Sequence, residues 1–232
     1  ENLNYLNFLK AKDFFRKNFT KESGQYLLSR GLTKDTIMEF EVGFAPPGSD
    51  NLLRYLVSLG FIAQDIERAG LVFKTDRGTY WDRFRQRIMF PIFNSFGKTV
   101  GFTGRIFETG EVDPKIAKYI NSPETPIFNK SRLLYGLHKS KKEIRKQDTA
   151  LLVEGQMDVL MSYQDGVKNV VASSGTALGN DQLKTLRRLS SQLILSFDSD
   201  EAGQLAAERS IDLALAQDFL VRILKVPGEK DP

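Results

Sequence analysis

Four short apolar runs, residues 149–153, 169–172, 192–197 and 219–226, punctuate the last third of the chain, with amphipathic stretches between them. Runs of that length read as strands and the intervening stretches as helices. Ala207, Ile211, Ala214 and Leu215 fall at i, i+4, i+7 and i+8, one face of a helix that starts near Glu201. Strands that alternate with helices predict a mainly parallel sheet covered on both faces, and such sheets bind ligands outside the carboxyl ends of their strands. Two of the four runs end in acid: the first continues into Glu154-Gly155-Gln156-Met157-Asp158 and the third into Asp198-Ser199-Asp200.

Carboxylates at strand ends suit a hard divalent cation held against phosphate oxygens, because such cations take oxygen ligands. Gly155 lets the backbone turn tightly after Glu154, which keeps Asp158 near. Asp198 and Asp200 project to the same side of an extended segment, since side chains alternate with period two. Bare carboxylates about 4 Å apart repel by about 4 kcal/mol at an effective dielectric near 20, so a cation is expected among them. Taken alone, Asp198-Ser199-Asp200 reads more readily as a helix N-cap ahead of Glu201 than as a metal site. Glu154 at a corresponding strand end favours the metal. The small-residue loop from Ser173 to Gly179 suits a phosphate cradle, or an ordinary strand-to-helix turn capped by Asn180 or Asp181.

Composition removes several alternatives. With no cysteine and a single histidine, His138, the 232 residues hold neither a disulfide framework nor a Cys/His zinc site. No apolar stretch approaches the roughly 18 residues of a membrane span, and the first residues lack the pattern of a signal peptide. The start without Met and the end at Lys230-Asp231-Pro232 read as a fragment of something longer. A formal net charge of +4 conceals an asymmetry: residues 149–232 carry 8 Lys and Arg against 12 Asp and Glu, whereas residues 1–148 carry 25 against 17. A basic region beside a carboxylate cluster suits a polyanion whose reacting phosphate must meet metal, although unevenly charged solvated surface gives the same count.

Upstream of a boundary near Gln147-Asp148 the pattern is mixed α+β. Residues 6–19, 22–30 and 50–60 read as helices, and Thr33 as a helix start before Ile37 and Phe40. Residues 87–93 and 99–105 read as strands joined by a turn at 94–98, where Gly97 supplies the permissive backbone. Pro91 inside the first of these implies an edge or a bulge. Residues 108–126, with Pro114, Pro123 and Pro126, read as a long loop, and residues 139–146 as a basic helix. Arg83, Arg85 and Arg87 alternate along a segment read as extended, either a phosphate track or an exposed strand face.

Glu154 to Asp158, Ser173-Ser174-Gly175-Thr176 and Asp198 to Gly203 resemble the toprim module shared by topoisomerases, bacterial primases and some nucleases. The segments 82–92, 101–105, 118–130 and 134–137, with Arg30-Gly31-Leu32 and Gly43 to Gly48, resemble the RNA-polymerase domain of bacterial DnaG-type primase over nearly the whole chain. That resemblance implies an α+β subdomain at 1–147 followed by a toprim α/β subdomain at 148–232. It implies Mg²⁺ or Mn²⁺ held by Glu154, Asp198 and Asp200, with Asp158 beside them and Asp231 opening a further acidic motif. It implies template and nucleotide contacts from Arg30, Arg105, Lys118, Asn121 and Lys130, to which the reading above adds Arg83 and Arg85. The implied activity is RNA primer synthesis on single-stranded DNA from ribonucleoside triphosphates, giving an RNA–DNA hybrid. The implied setting is a bacterial replication fork in the cytoplasm, where a monomer meets the replicative helicase through a C-terminal domain absent from this chain. The alternatives are another toprim enzyme, nuclease or topoisomerase-like, and a single-strand-binding fragment inactive without its missing domains.

Overall fold

The computed structural model describes residues 2–107, 116–174, 178–197 and 201–224, the side chains of 2–4 and 201–207 excepted. The chain divides into two compact units, residues 1–93 with 98–128, and residues 94–97 with 129–232. The boundary expected at 147/148 therefore falls inside the second unit.

The first unit opens with α1 (Asn2–Lys17), α2 (Lys21–Ser29) and α3 (Lys34–Glu39), then β1 (Gly43–Ala45), α4 (Asn51–Ser58) and α5 (Ala63–Arg68). A small antiparallel pair, β2 (Val72–Lys74) and β3 (Tyr80–Asp82), precedes β4 (Arg87–Phe93), β5 (Thr99–Ile106) and β6 (Tyr119–Asn121). The four-stranded sheet has the order β1-β4-β5-β6 and is antiparallel throughout. Phe8, Ala11 and Phe15 lie at i, i+3 and i+7 on α1 and are fully or almost fully buried. Phe15 meets Phe102 edge-on at 5.1 Å and Phe84 at 6.3 Å, an arrangement that suits the ring quadrupoles. Burying each such ring contributes about 2–3 kcal/mol.

Local signals explain several boundaries. Thr20 and Ser23 form a capping box at the start of α2, and Thr33 Oγ1 accepts from the Thr36 amide at the expected start of α3. Asp50, expected to begin α4, makes no side-chain cap bond. Asp82 caps that helix instead: its two carboxylate oxygens accept from Leu52 N at 2.7 Å and Leu53 N at 3.0 Å. Pro91 sits where β1 has already ended, since β1 pairs only with Arg87 to Met89, and the β4–β5 register shifts just beyond it, between Ile92 and Phe93. The absent N–H therefore leaves no ladder partner waiting. The expected loop at 108–126 is corrected over Tyr119–Asn121, which forms β6 against Thr103–Arg105. Pro123 and Pro126 lie beyond this pairing, and β5 offers an open edge for it.

The second unit begins with α6 (Leu137–Gln147) and continues through β7 (Thr149–Val153), α7 (Gln156–Gln164), β8 (Val170–Ala172), α8 (Asn180–Arg187), β9 (Gln192–Leu195), α9 (Glu201–Leu215) and β10 (Leu220–Ile223). Its sheet has the order β10-β9-β7-β8 and every pairing is parallel. All four residues from Ala150 to Val153 are buried, as a central parallel strand requires. Leu137 and Ile144 of α6, Leu183 and Leu186 of α8 and Ala214 of α9 share one core with Leu152, Leu193 and Leu195. This packing of α6 is why the second unit starts before residue 148. No helix among the described residues is long and apolar enough to cross a membrane.

Candidate metal centre and basic strand face

Glu154 follows β7, the strand flanked by β8 on one side and β9 on the other. The three strands run parallel, so their C-terminal ends lie along one edge of the sheet. Leu152 is paired with both Val171 and Leu195, and the Ser196 amide extends the ladder by donating to Leu152 O at 2.9 Å. The Ser174 amide, after β8, donates to Glu154 O at 3.1 Å, which ties the two turns together. Ser174 takes a left-handed backbone at φ 61°, an unusual conformation for a residue with a side chain. Glu154 and Asp158 are both half-buried at the start of α7, where the helix dipole favours negative charge. One Asp158 oxygen accepts from the Gly155 amide at 2.8 Å.

Two carboxylates at one strand-to-helix turn are hard oxygen donors, and they fit a Mg²⁺- or Mn²⁺-type ion while supplying only part of its shell. Asp198, Asp200 and Asp231 lie outside the described residues, as do Gly175 to Ala177 of the small-residue loop. Among the described residues no group of three or more His, Cys, Asp or Glu is placed to hold a metal. The described chain reaches Phe197, immediately before Asp198, at the edge where Glu154 stands. The loop's expected cap is corrected: Gln182 Oε1 accepts from Gly179 N at 2.9 Å, whereas Asp181 pairs with Arg132 at 3.0 Å.

In the first unit, cross-strand pairing puts Thr103, Arg105, Tyr119 and Asn121 on one face of the sheet, the face opposite Phe102. Thr103 Oγ1 donates to Asn121 Oδ1 at 2.6 Å, and Arg105 Nη1 donates to Tyr119 Oη at 3.1 Å. Arg105 is only 8% exposed, its guanidinium lying 5.3 Å from the Tyr26 ring centre and 5.5 Å from that of Tyr119. It is not the solvated strand end that its position in the sequence allows. No carboxylate pairs with it among the described residues. Lys118 is exposed beside this face, and Arg30 is exposed at the C-terminal cap of α2. Lys130 belongs to the second unit, where its carbonyl accepts from Gln182 Nε2 at 3.2 Å.

Arg83, Arg85 and Arg87 do not share an extended face. Gln86 has φ 51°, which breaks the alternation between Arg85 and β4. Arg83 Nε donates to Gly70 O at 2.9 Å, and burial draws its pKa below the ordinary value. Arg85 Nη1 donates to Asp82 O, and its guanidinium stacks near Phe73 and Trp81. Arg87 is buried, reaching the carbonyls of Gly104 and Ala117. Sequence reasoning passed over Tyr26, Tyr119 and Thr103. For Tyr119 the available signal was its two-residue spacing from Asn121, hidden in a stretch read as loop.

Comparison with known proteins supplies the context for both sites. Residues 12–141 match the family model described as DNA primase catalytic core, N-terminal domain, and residues 151–232 match a toprim-like model. A DNA primase of Clostridium acetobutylicum is 40% identical over 228 residues, 98% of this chain and 37% of that protein. The chain spans about a third of the length of the curated relatives it matches. The RNA polymerase domain of Mycobacterium tuberculosis primase DnaG superposes with a TM-score of 0.88 at 34% identity, covering 99% of this chain and 78% of that one. A DnaG primase catalytic domain bound to single-stranded DNA superposes with a TM-score of 0.87 at 34% identity, covering 100% and 73%.

Proposed function

Since the chain belongs to the DNA primase catalytic-core family, we propose that it synthesises short RNA primers on a single-stranded DNA template from ribonucleoside triphosphates. The observation that carries the reading is Glu154 at the carboxyl end of the central strand of a parallel sheet, in a chain matching the core and toprim models in order. Glu154, Asp198 and Asp200, with Asp158 alongside and Asp231 beyond, would hold Mg²⁺ or Mn²⁺. When bound, the metal neutralises triphosphate charge and eases deprotonation of the attacking 3′-hydroxyl. Asp158, one oxygen of which accepts from the Gly155 amide, stands beside Glu154 at the same turn.

The basic residues bind and orient. Arg105, fixed between two tyrosines, offers a preorganised planar donor set to phosphate oxygens, and a rigid guanidinium loses little entropy when it binds. Arg30, Lys118, Lys130, Arg83 and Arg85 hold template and incoming nucleotide chiefly through charge, and Asn121 through its amide. This attachment is sequence-tolerant. We assign the reaction to a monomer at a bacterial replication fork in the cytoplasm, its product an RNA–DNA hybrid. Coupling to the replicative helicase would run through a segment outside this chain.

The test is template-directed ribonucleotide incorporation on single-stranded DNA with Mg²⁺ or Mn²⁺. Glu154→Gln should lower the rate by about 100-fold or more. Synthesis that survives Asp198→Ala combined with Asp200→Ala refutes the metal assignment. Metal-dependent DNA degradation without nucleoside triphosphates, or a covalent DNA adduct, overturns the primase reading itself.

A further inference from the structure

A groove of about 500 Å³ runs between α2 and α3 in the first unit. Phe19, Gly24, Leu28, Ile37 and Met38 form its apolar lining. Leu28 is 39% exposed and Met38 62% exposed, so the groove lies open along its length instead of enclosing a small molecule. Methionine adapts its shape to an incoming surface at little cost.

Two further observations single this groove out. Gly24 stands inside α2, where glycine costs about 1 kcal/mol relative to alanine. A Cβ there would approach Phe19 Cε1 to 3.3 Å, so any larger side chain must displace Phe19 or fill the groove. The second observation is charge. Lys21 and Lys34 are the charged side chains that line the groove; among the described residues neither lies within ion-pair distance of a carboxylate, and Lys21 acts on its neighbour Glu22 only through space. An apolar channel bordered by two unpaired cations complements a ligand with an apolar centre and acidic flanks.

We propose that this groove docks a short acidic peptide segment of a protein partner. The segment seats one or two bulky apolar side chains between α2 and α3 and sets carboxylates against Lys21 and Lys34. Its backbone stays in water, as the open side of the groove requires, and its recognition follows the helix-in-groove mode. The proposal is independent of the chemistry at Glu154, because it concerns a different surface and a different class of ligand.

The experiment is fluorescence anisotropy with a labelled peptide of roughly ten residues, in which leucine and phenylalanine are flanked by aspartate and glutamate. Controls replace the acids by lysine, or the leucine and phenylalanine by serine. The acidic apolar peptide should bind, and both controls should bind about tenfold more weakly or not at all. Lys21→Glu with Lys34→Glu should weaken binding about tenfold, and Gly24→Leu should abolish it by filling the groove. Far-UV circular dichroism and Tm check folding, and the lysine pair keeps the test intact should Gly24→Leu displace Phe19 and unfold the chain. No binding at about millimolar peptide, equal binding of the lysine-flanked control, or unchanged affinity in the lysine variant overturns the proposal. So does preferential binding to phosphatidylglycerol vesicles, or concentration-dependent self-association abolished by Gly24→Leu.

Discussion

Asp82 is a carboxylate that acts at a distance of about thirty residues in sequence, as the cap of a helix whose own N-cap residue, Asp50, makes no such bond. Burial pushes its pKa up to about 6, although the amides of Leu52 and Leu53 pull the other way. Its ordinary value is 3.8, so below about pH 4 the group is protonated in both folded and unfolded chains. Between about pH 4 and pH 6 the unfolded chain releases a proton that the folded chain keeps. Stability should therefore fall as pH rises through that window, by about 2–3 kcal/mol, and stay level above it. Urea unfolding at a series of pH values measures the slope, and Asp82→Asn should remove it. Asp82→Ala, which leaves the buried Leu52 amide and the half-buried Leu53 amide without acceptors, should cost about 2–3 kcal/mol at pH 7.

The contact between α1 and β1 shows how one element constrains another. A Cβ at Gly43 would lie 2.6 Å from the carbonyl carbon of Phe15, so the helix rests directly on the strand's backbone. Gly43→Ala must lift α1 from the sheet and disturb the Phe15–Phe102–Phe84 ring cluster. A loss of about 3 kcal/mol is expected, read as a lower Tm. At this scale the sequence was legible where an element was long enough to carry a period. The runs that became β4, β5 and β7 were readable because seven, eight and five residues carry enough apolar pattern, and α6 was readable as the basic helix at 139–146, although its buried residues Leu137, Ser140 and Ile144 begin before that stretch. Strands β1, β2, β3 and β6 have three residues each and exist because a partner strand offers a ladder. The turn at Gln86 escaped for a related reason: glutamine carries no local signal for positive φ, so three arginines read as one face and became three separate contacts. The positions of Glu154, just after β7, and of Asp158, in the first turn of α7, were legible because acid after an apolar run marks the end of a strand. The aromatic pair around Arg105 was not, since Tyr26 lies far from it in sequence.

For the whole molecule, the uneven distribution of charge along the chain is the property that no single residue or element shows. Residues 1–148 hold a net charge of +8 and residues 149–232 a net charge of −4. Affinity for single-stranded DNA should accordingly be dominated by counterion release. If about five phosphates are neutralised, raising salt from about 50 to 200 mM should weaken binding about 100-fold. Anisotropy of a labelled oligonucleotide across that range checks it, and a salt-independent affinity would contradict the electrostatic attachment.

The turn at 94–97 joins two strands of the first unit, yet it packs with the second, where Lys141 Nζ donates to Ser95 O. In genetic terms, the second unit is written in two places. A recombinant segment beginning at codon 129 omits four residues that fold with it, and a domain swap between relatives at 128/129 sets Lys141 against a foreign turn. An exchange that preserves the unit carries both pieces together.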